Sequence, residues 1–503
     1  RAEGYEQVAL TYQAALTGNC VVRQTPDGTF DNYGVTVTTT YYYGRVMAKD
    51  PATGITYLGG KFLDLNGVAA ADCVAQRSPA GVWSGLGALS YPTIGAEVFD
   101  IAIGTDGYIY IAGQFLDAGG IATADYITRW SGTAYESITT GGAANGNINA
   151  LAFSRVGHLY AGGAFTDIGG SGAAHLARWD GTNWNTVVSA TGLNGDVYDI
   201  IPDPWGDGVI VAGAFTDAGG TAANDYLIRI TVSGSTYAYA LIGGGTPNGV
   251  VNALHYDDQT GRLYAVGNFT AIGSASFAGI AYYDGTSWRD MNGGITASFT
   301  GIGGGMATDT NGQLLLAAQN MSKAGNVTLV DGFALWNGNQ WQAAKFDPTG
   351  DYGINAWIDP DTGDWFWLGN ITSAVVEGVT SVTNTDYADT YPTLVITGPG
   401  TVYGIQNYAT GERVDFNGLT LRAGEYATVV FGPDGILSAE ACVGAPTTSR
   451  RSGPVCRNLI PYIVPGSSPT LHLMPGINSI GLYVYGGTTA ATAASLSWPA
   501  TYR

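Results

Sequence analysis

Residues 161–170 read AGGAFTDIGG, and residues 212–220 read AGAFTDAGG. The phrase places a glycine two positions before an aromatic, then Thr-Asp and a second small-residue turn. Seen once it is a poor signature of chemistry. Recurring at fixed spacing it describes an architecture. Seven copies are found: LGGKFLD (58–64), IAGQFLD (111–117), GGAFTD (162–167), AGAFTD (212–217), VGNFTA (266–271), AQNMSK (318–323) and LGNITS (368–373). Their apolar anchors are Phe62, Phe115, Phe165, Phe215, Phe269, Met321 and Ile371, spaced by 53, 50, 50, 54, 52 and 50 residues.

The same surroundings recur at each anchor. A short apolar run such as INALAF (148–153) or VNALHY (251–256) leads into a turn with Asp or Gly. The run LYAGGAF or LYAVGNF follows, then a small-residue loop, then LARWDGTNW (176–184) or IAYYDGTSW (280–288). Runs of four to eight residues rich in β-branched and aromatic side chains, bounded by turn residues, are strands. The Asp-Gly pairs suit tight hairpins that need positive φ. Each repeat is therefore expected to be a four-stranded antiparallel meander, and seven of them a seven-bladed β-propeller over residues 1–388. The last copy lacks its R…DGTxW partner. VVRQTPDGTFDNY (21–33) has that form, so the N-terminus is expected to supply the outer strands of the last blade and close the ring. Closure removes open sheet edges. The phrase resembles kelch-type glycine-rich propeller repeats, which speaks for fold and leaves function open.

From about Tyr391 the pattern changes to alternating apolar and polar residues punctuated by GPG, ATG and AGE turns. Residues 391–503 are expected to form a β-sandwich of galectin-like or jelly-roll-like type. The stretches PTLVITGPG, NYATGERVDF, the RAGE turn, RNLIPYIVPGSS, HLMPGINSI and SLSWPATY carry a second resemblance. They are similar to the C-terminal domain of siphophage-type tail proteins, a family that includes distal tail proteins. This resemblance implies a virion protein of a tailed phage, extracellular, multimeric on the particle, and in contact with other tail or virion proteins. The sandwich would serve assembly, and the propeller would be a display or host-surface adhesion platform. Two alternatives remain open at the level of sequence: a secreted or surface bacterial adhesin, and a carbohydrate-active propeller enzyme.

Composition narrows the partners. Forty acidic residues against 20 basic ones give a net charge of -20, which repels phosphate backbones and makes nucleic acid an unsuitable partner. No apolar run reaches the roughly 18 residues needed to cross a bilayer, so membrane insertion is not expected. The four histidines, His158, His175, His255 and His472, fall at unrelated positions and suggest no metal centre. No dinucleotide, P-loop or nucleophile-elbow motif occurs in a supporting context, so no catalytic residue and no cofactor is assigned. DPDTGD (359–364) places Asp359, Asp361 and Asp364 as in a short calcium loop, although hairpins use the same residues.

Aromatics in expected loops are the better candidates: Tyr41, Tyr42, Tyr43, Tyr91, Phe299 and Tyr352 could stack on a host-surface glycan. Cys442 and Cys456 bracket a short loop and could form a disulfide, whereas Cys20 and Cys73 share one register in neighbouring blades and are expected to stay reduced. Arg450, Arg451 and Arg457 form a basic island that reads as a solvated loop.

Overall fold

The computed structural model describes residues 4–500 apart from 11–12, 18–19, 27, 37–42, 88, 90–94, 140, 188–192, 222–223, 234–235, 300–303, 329–331, 345, 350–351, 372, 385–388, 444–455, 464–469 and 486–492. Among these residues every long element is a strand, and helical structure is confined to single 3-10 turns. Seven sheets have four antiparallel strands each. Their first strands are Tyr43–Lys49, Glu97–Ile103, Ile148–Phe153, Val197–Pro202, Val251–Asp257, Gly305–Thr308 and Tyr352–Ile358, and the sheets are called 1 to 7 in that order. Each first strand packs against the next, and that of sheet 7 returns to that of sheet 1. The chain is a β-propeller.

The glycine of the repeated phrase has a specific cause. In sheets 1 to 5 and in sheet 7 the first strand carries a β-bulge. The bulge pushes a backbone carbonyl against the glycine two residues before the anchor. A Cβ on Gly60, Gly113, Gly163, Gly213 or Gly267 would overlap the carbonyl oxygen of Tyr43, Glu97, Asn147, Asp196 or Val250 respectively. Sheet 6 has Gln319 at this position; its described pairs, Gly305 to Thr308 against Ala317 to Leu314, end before the corresponding point, which lies outside the described residues. Where the first strand is described at this point, glycine and bulge occur together. The anchors themselves, from Phe62 to Ile371, are all at most 1% exposed, which makes them core.

The outer strands hold neighbouring sheets by a second repeated contact. The aromatic that ends each DGTxW hairpin sends its ring donor to a backbone carbonyl following the preceding sheet. Trp184 Nε1 donates to Ile138 O at 3.1 Å, Trp288 Nε1 to Ile242 O at 2.9 Å and Trp341 Nε1 to Met291 O at 2.7 Å. Trp83 does the same to Tyr33 O, and Tyr135 and Tyr239 use their hydroxyls on Gly87 O and Val187 O. In sheet 7 the position holds Phe30, which has no ring donor. That sheet is held instead by strand pairing, Val21–Gln24 lying between Trp365–Asn370 and Phe30–Asp31. The N-terminal hairpin thus completes the last sheet, as its R…DGTF form implies.

The remaining strands make two further sheets. One contains Gly4–Leu10, Ala493–Ala500, Thr393–Thr397, Glu425–Gly432, Gly435–Val443 and Cys456–Asn458. The other contains Gln13–Thr17, Ser373–Asn384, Gly476–Tyr485, Gly400–Asn407 and Arg413–Leu421, with Phe346–Thr349 paired onto Ser373–Asn384. They share one apolar core, with Leu394, Val429 and Leu496 from the first and Ile405, Leu419 and Ile480 from the second. This pairing corrects the expected division into 1–388 and 391–503. Gly4–Leu10, Gln13–Thr17, Phe346–Thr349 and Ser373–Asn384 lie in the C-terminal sheets, because each supplies an edge or centre that those sheets would otherwise lack. Cys442 and Cys456 form a disulfide, and Cys20 and Cys73 are free and buried.

Two outcomes test these contacts. Gly213→Ala meets backbone rather than a flexible side chain, so we expect a loss of about 2–4 kcal/mol in chemical denaturation. Gly157→Ala, where no atom lies near the added Cβ but φ is +86°, should cost only ~1 kcal/mol. Equal losses would refute the carbonyl-contact explanation. Removal of residues 1–35 takes away strands from sheet 7 and from both C-terminal sheets. The truncated chain should aggregate or lose cooperative melting, and a melting curve like the parent's would show that the N-terminal strands are dispensable.

Candidate functional site

Two concave regions among the described residues gather polar side chains. The first is the channel along the ring axis, a cavity of ≈ 100 Å³. The bulge residues Arg45, Phe99, Asn149, Tyr198, Asn252 and Ile354 line it, as do Asp100 and Asp199 from the following positions. A bulge re-aims a side chain out of the strand alternation. Here it turns one side chain per sheet toward the axis.

Most of the polar groups there join one sheet to the next. Arg45 Nη1 pairs with Glu97 Oε1 at 2.7 Å, linking sheets 1 and 2. Asp100 Oδ2 accepts the Leu151 N–H at 2.7 Å, and Asn149 Nδ2 donates to Val197 O at 2.7 Å. Asp199 Oδ2 accepts the Leu254 N–H at 2.6 Å. His255 Nε2 meets Thr308 Oγ1 at 2.8 Å, Gly304 N donates to Ile354 O, and Asn355 Nδ2 reaches Arg45 O at 2.9 Å. All seven junctions are bridged. Asp100 and Asp199 each accept a further N–H from Ile101 and Ile200, so both oxygens of each acid are engaged.

The two carboxyls border the channel and are half-exposed to it, yet the ring surrounds them on every side. That desolvation pushes Asp100 up to about 6, against the pull of its N–H donors and of Arg45. Asp199 rises to about 7 through desolvation and then the charge of Asp100, with its N–H bonds opposing. Burial lowers His255 to about 4 despite Asp257 and Asp258.

The second region is larger. A cleft of ≈ 850 Å³ lies between sheets 5, 6 and 7 and the C-terminal sheets. Gln259, Asp309, Asn311, Gln313, Asn337 and Trp365 face it from the ring, and Gln406, Tyr408, Arg413 and Asp415 from the other side. Two hydrogen bonds pin its walls together: Gln24 Nε2 to Tyr408 Oη at 3.0 Å and Gln342 Nε2 to Asp415 Oδ2 at 2.8 Å.

The residues expected from sequence fare unequally. Tyr41, Tyr42 and Tyr91 lie outside the described residues. Tyr43 is half-buried in the first strand of sheet 1, where burial and then Glu97 raise its hydroxyl above the ordinary range. Phe299 is corrected: it is 5% exposed and packs in the core between sheets 5 and 6, so its face is not available to a ligand. Tyr352 opens the first strand of sheet 7 rather than lying in a loop.

The candidate calcium loop is corrected as well. Lys49 Nζ sits 2.8 Å from both Asp359 Oδ1 and Asp361 Oδ2, and Arg23 Nη1 sits 3.2 Å from Asp364 Oδ2. Cations of the protein itself occupy the positions a metal would take. The one group with metal-ligand proximity among the described residues is Glu440 with Cys442 and Cys456, whose sulfurs are bonded to each other. Arg457 is half-buried against Thr420 O and Glu425, and Arg450 and Arg451 lie outside the described residues. Of the motifs noted in the sequence only DPDTGD (359–364) lines the cleft, whose other residues come from chain segments hundreds of positions apart.

No protein-family model matches this chain, and no curated protein matches it. Among solved structures it is similar to YCF48 bound to D1 peptide, with 12% identity and a TM-score of 0.42 over 73% of this chain and 95% of that one. It is also similar to a gluconolactonase from Xanthomonas campestris, with 14% identity and a TM-score of 0.32 over 73% and 98%. A GH43 protein from Bacillus licheniformis gives 10% identity and a TM-score of 0.25 over 80% and 96%. None of their activities transfers to this chain at such likeness.

The channel acids generate a pH test. The native state retains on Asp199 a proton that the unfolded chain releases near its ordinary value of 3.8. A raised value means stability that is complete below about pH 4 and lost as pH rises through about 7. His255 acts in the opposite sense between about 6.5 and 4, equally in parent and variant. Asp199→Asn removes the titration, so its melting temperature relative to the parent should rise from pH 5 to pH 8. Parallel curves for the two proteins would show that Asp199 is ionised throughout.

Proposed function

We propose that this chain is a non-enzymatic structural protein of a phage tail, in which a seven-bladed β-propeller is a rigid platform for host-surface adhesion. In this reading sheets 1 to 7 are the blades, and the two C-terminal sheets form a galectin-like β-sandwich that attaches the chain to other virion proteins. The observation that carries the non-catalytic part is the use of the channel acids. Asp100 and Asp199 hold neighbouring sheets through backbone N–H groups on both oxygens. That arrangement gives both acids a structural task at the sheet junctions and fits a scaffold better than the acid–base pair of glycoside hydrolysis. The attachment role is supported by the sequence stretches of residues 391–503 that resemble siphophage-type tail proteins. Copies repeated on an extracellular particle would let weak contacts to a host polysaccharide act together.

The test uses particles from a phage whose genome encodes this sequence. Antibody raised against the full chain should label intact tails in electron micrographs, and the chain should be found in purified particles. Absence of the chain from purified particles removes the virion assignment. Hydrolysis of a polysaccharide by the full chain that is lost in Asp199→Asn would instead establish an enzyme.

A further inference from the structure

We infer that the cleft between the ring and the C-terminal sheets is a binding site for a short neutral oligosaccharide. This rests on the adhesion reading above and gives it a location, which differs from the loop aromatics singled out by sequence. At ≈ 850 Å³ the cleft is of the size that holds a small ligand.

Its charges are already answered from within the protein. Asp359 and Asp361 hold Lys49, Asp415 pairs with Arg413, and Asp309 Oδ1 accepts the N–H groups of Asn311 and Gln313 at 2.9 and 2.8 Å. Asp309 and Asp361 leave the walls slightly acidic, and the hydrogen-bonding groups still free there are neutral. The side-chain amides of Gln259 and Gln313 make no hydrogen bond within the described residues, and each carries two donors and an acceptor. Trp365 and Tyr408 are half-buried on opposing sides and supply flat apolar surface with a polar rim.

Sugars match this combination. Their hydroxyls both donate and accept, and their C–H faces stack on aromatic rings. A phosphate or carboxylate ligand would meet Asp309 and Asp361 without a free cation to balance it. An apolar ligand would strand the amides without partners. The two hydrogen bonds at Gln24–Tyr408 and Gln342–Asp415 fix the walls before a ligand arrives, which lowers the ordering cost of binding.

Isothermal titration of the full chain with neutral trisaccharides of glucose, galactose and N-acetylglucosamine tests this, with trigalacturonate as the charged comparator. At least one neutral trisaccharide should bind with a Kd on the order of 0.1–1 mM. Gln313→Ala and Trp365→Phe should each weaken it about tenfold or more while the melting temperature holds, and trigalacturonate should not bind. Should either variant lose its fold, Gln259→Ala, exposed and outside the core, supplies the same readout. The proposal is overturned if no neutral trisaccharide binds the folded chain, if binding survives the substitutions unchanged, or if trigalacturonate binds more tightly. Binding that survives them places the glycan elsewhere and leaves the adhesion reading standing. Cleft binding by a chain absent from particles leaves the site standing and removes the virion reading.

Discussion

The contact between a bulged first strand and the glycine facing it is the constraint on which this ring depends. Each second strand is covered on both faces along most of its length, and in Gly208–Gly213 every residue is buried. At the glycine the neighbouring carbonyl has already taken the space of a side chain. The same bulge frees one residue per sheet from strand alternation and turns it toward the axis. The channel lining and the close approach of the strands are consequently one feature seen from two sides. Sheet 6 has Gln319 in place of glycine, and its Gly304 N donates to Ile354 O of sheet 7.

Closure follows a different logic from repetition. Six outer-strand Trp or Tyr rings donate across to the preceding sheet, and Phe30 in sheet 7 has no donor to give. The last sheet is instead assembled from both ends of the array, with Arg23 bridging Asp31 and Asp364 at a separation of 341 residues. The chain enters through the C-terminal sheets, completes sheet 7, runs round the ring and returns through Ser373–Asn384. Each unit is therefore closed by strands that flank the other in sequence. Contacts of such sequence separation are entropically costly to form and slow to find.

The repeat was readable in the sequence because it is local: anchors, turns and the R…DGTF hairpin are defined by neighbours within a few positions. The Cys442–Cys456 pair was readable for the same reason. What was not readable depends on partners far along the chain. GYEQVAL (4–10) has the pattern of any strand, and nothing in it names Ala493–Ala500 as its neighbour. Asp359 and Asp361 fit a calcium loop until Lys49, some 310 positions away, is seen between them. Phe299 sits in a small-residue stretch like an exposed loop, yet its backbone is held at both N–H and C=O by Asn268 and its ring is buried. The cleft is the extreme case, since it exists only once two units are juxtaposed.

The distribution of charge then explains where recognition can reside. With 20 basic residues against 40 acidic ones, cations are scarce. Arg23, Arg45, Lys49, Arg129, Arg229, Arg289, Arg413 and Arg457 all have a carboxylate within ion-pair distance. These pairs tie up part of a small stock of positive charge within the protein. The net acidic charge deters phosphate and other anions at long range, whatever their shape. Along the channel most polar groups are committed to sheet junctions, where an unpaired buried donor or acceptor would be costly. In the adhesion reading proposed above, recognition relies on neutral hydrogen-bonding groups at places where repetition is interrupted. The boundary between ring and C-terminal sheets, where amides of sheets 5 and 6 face an unrelated set of strands, is such a place.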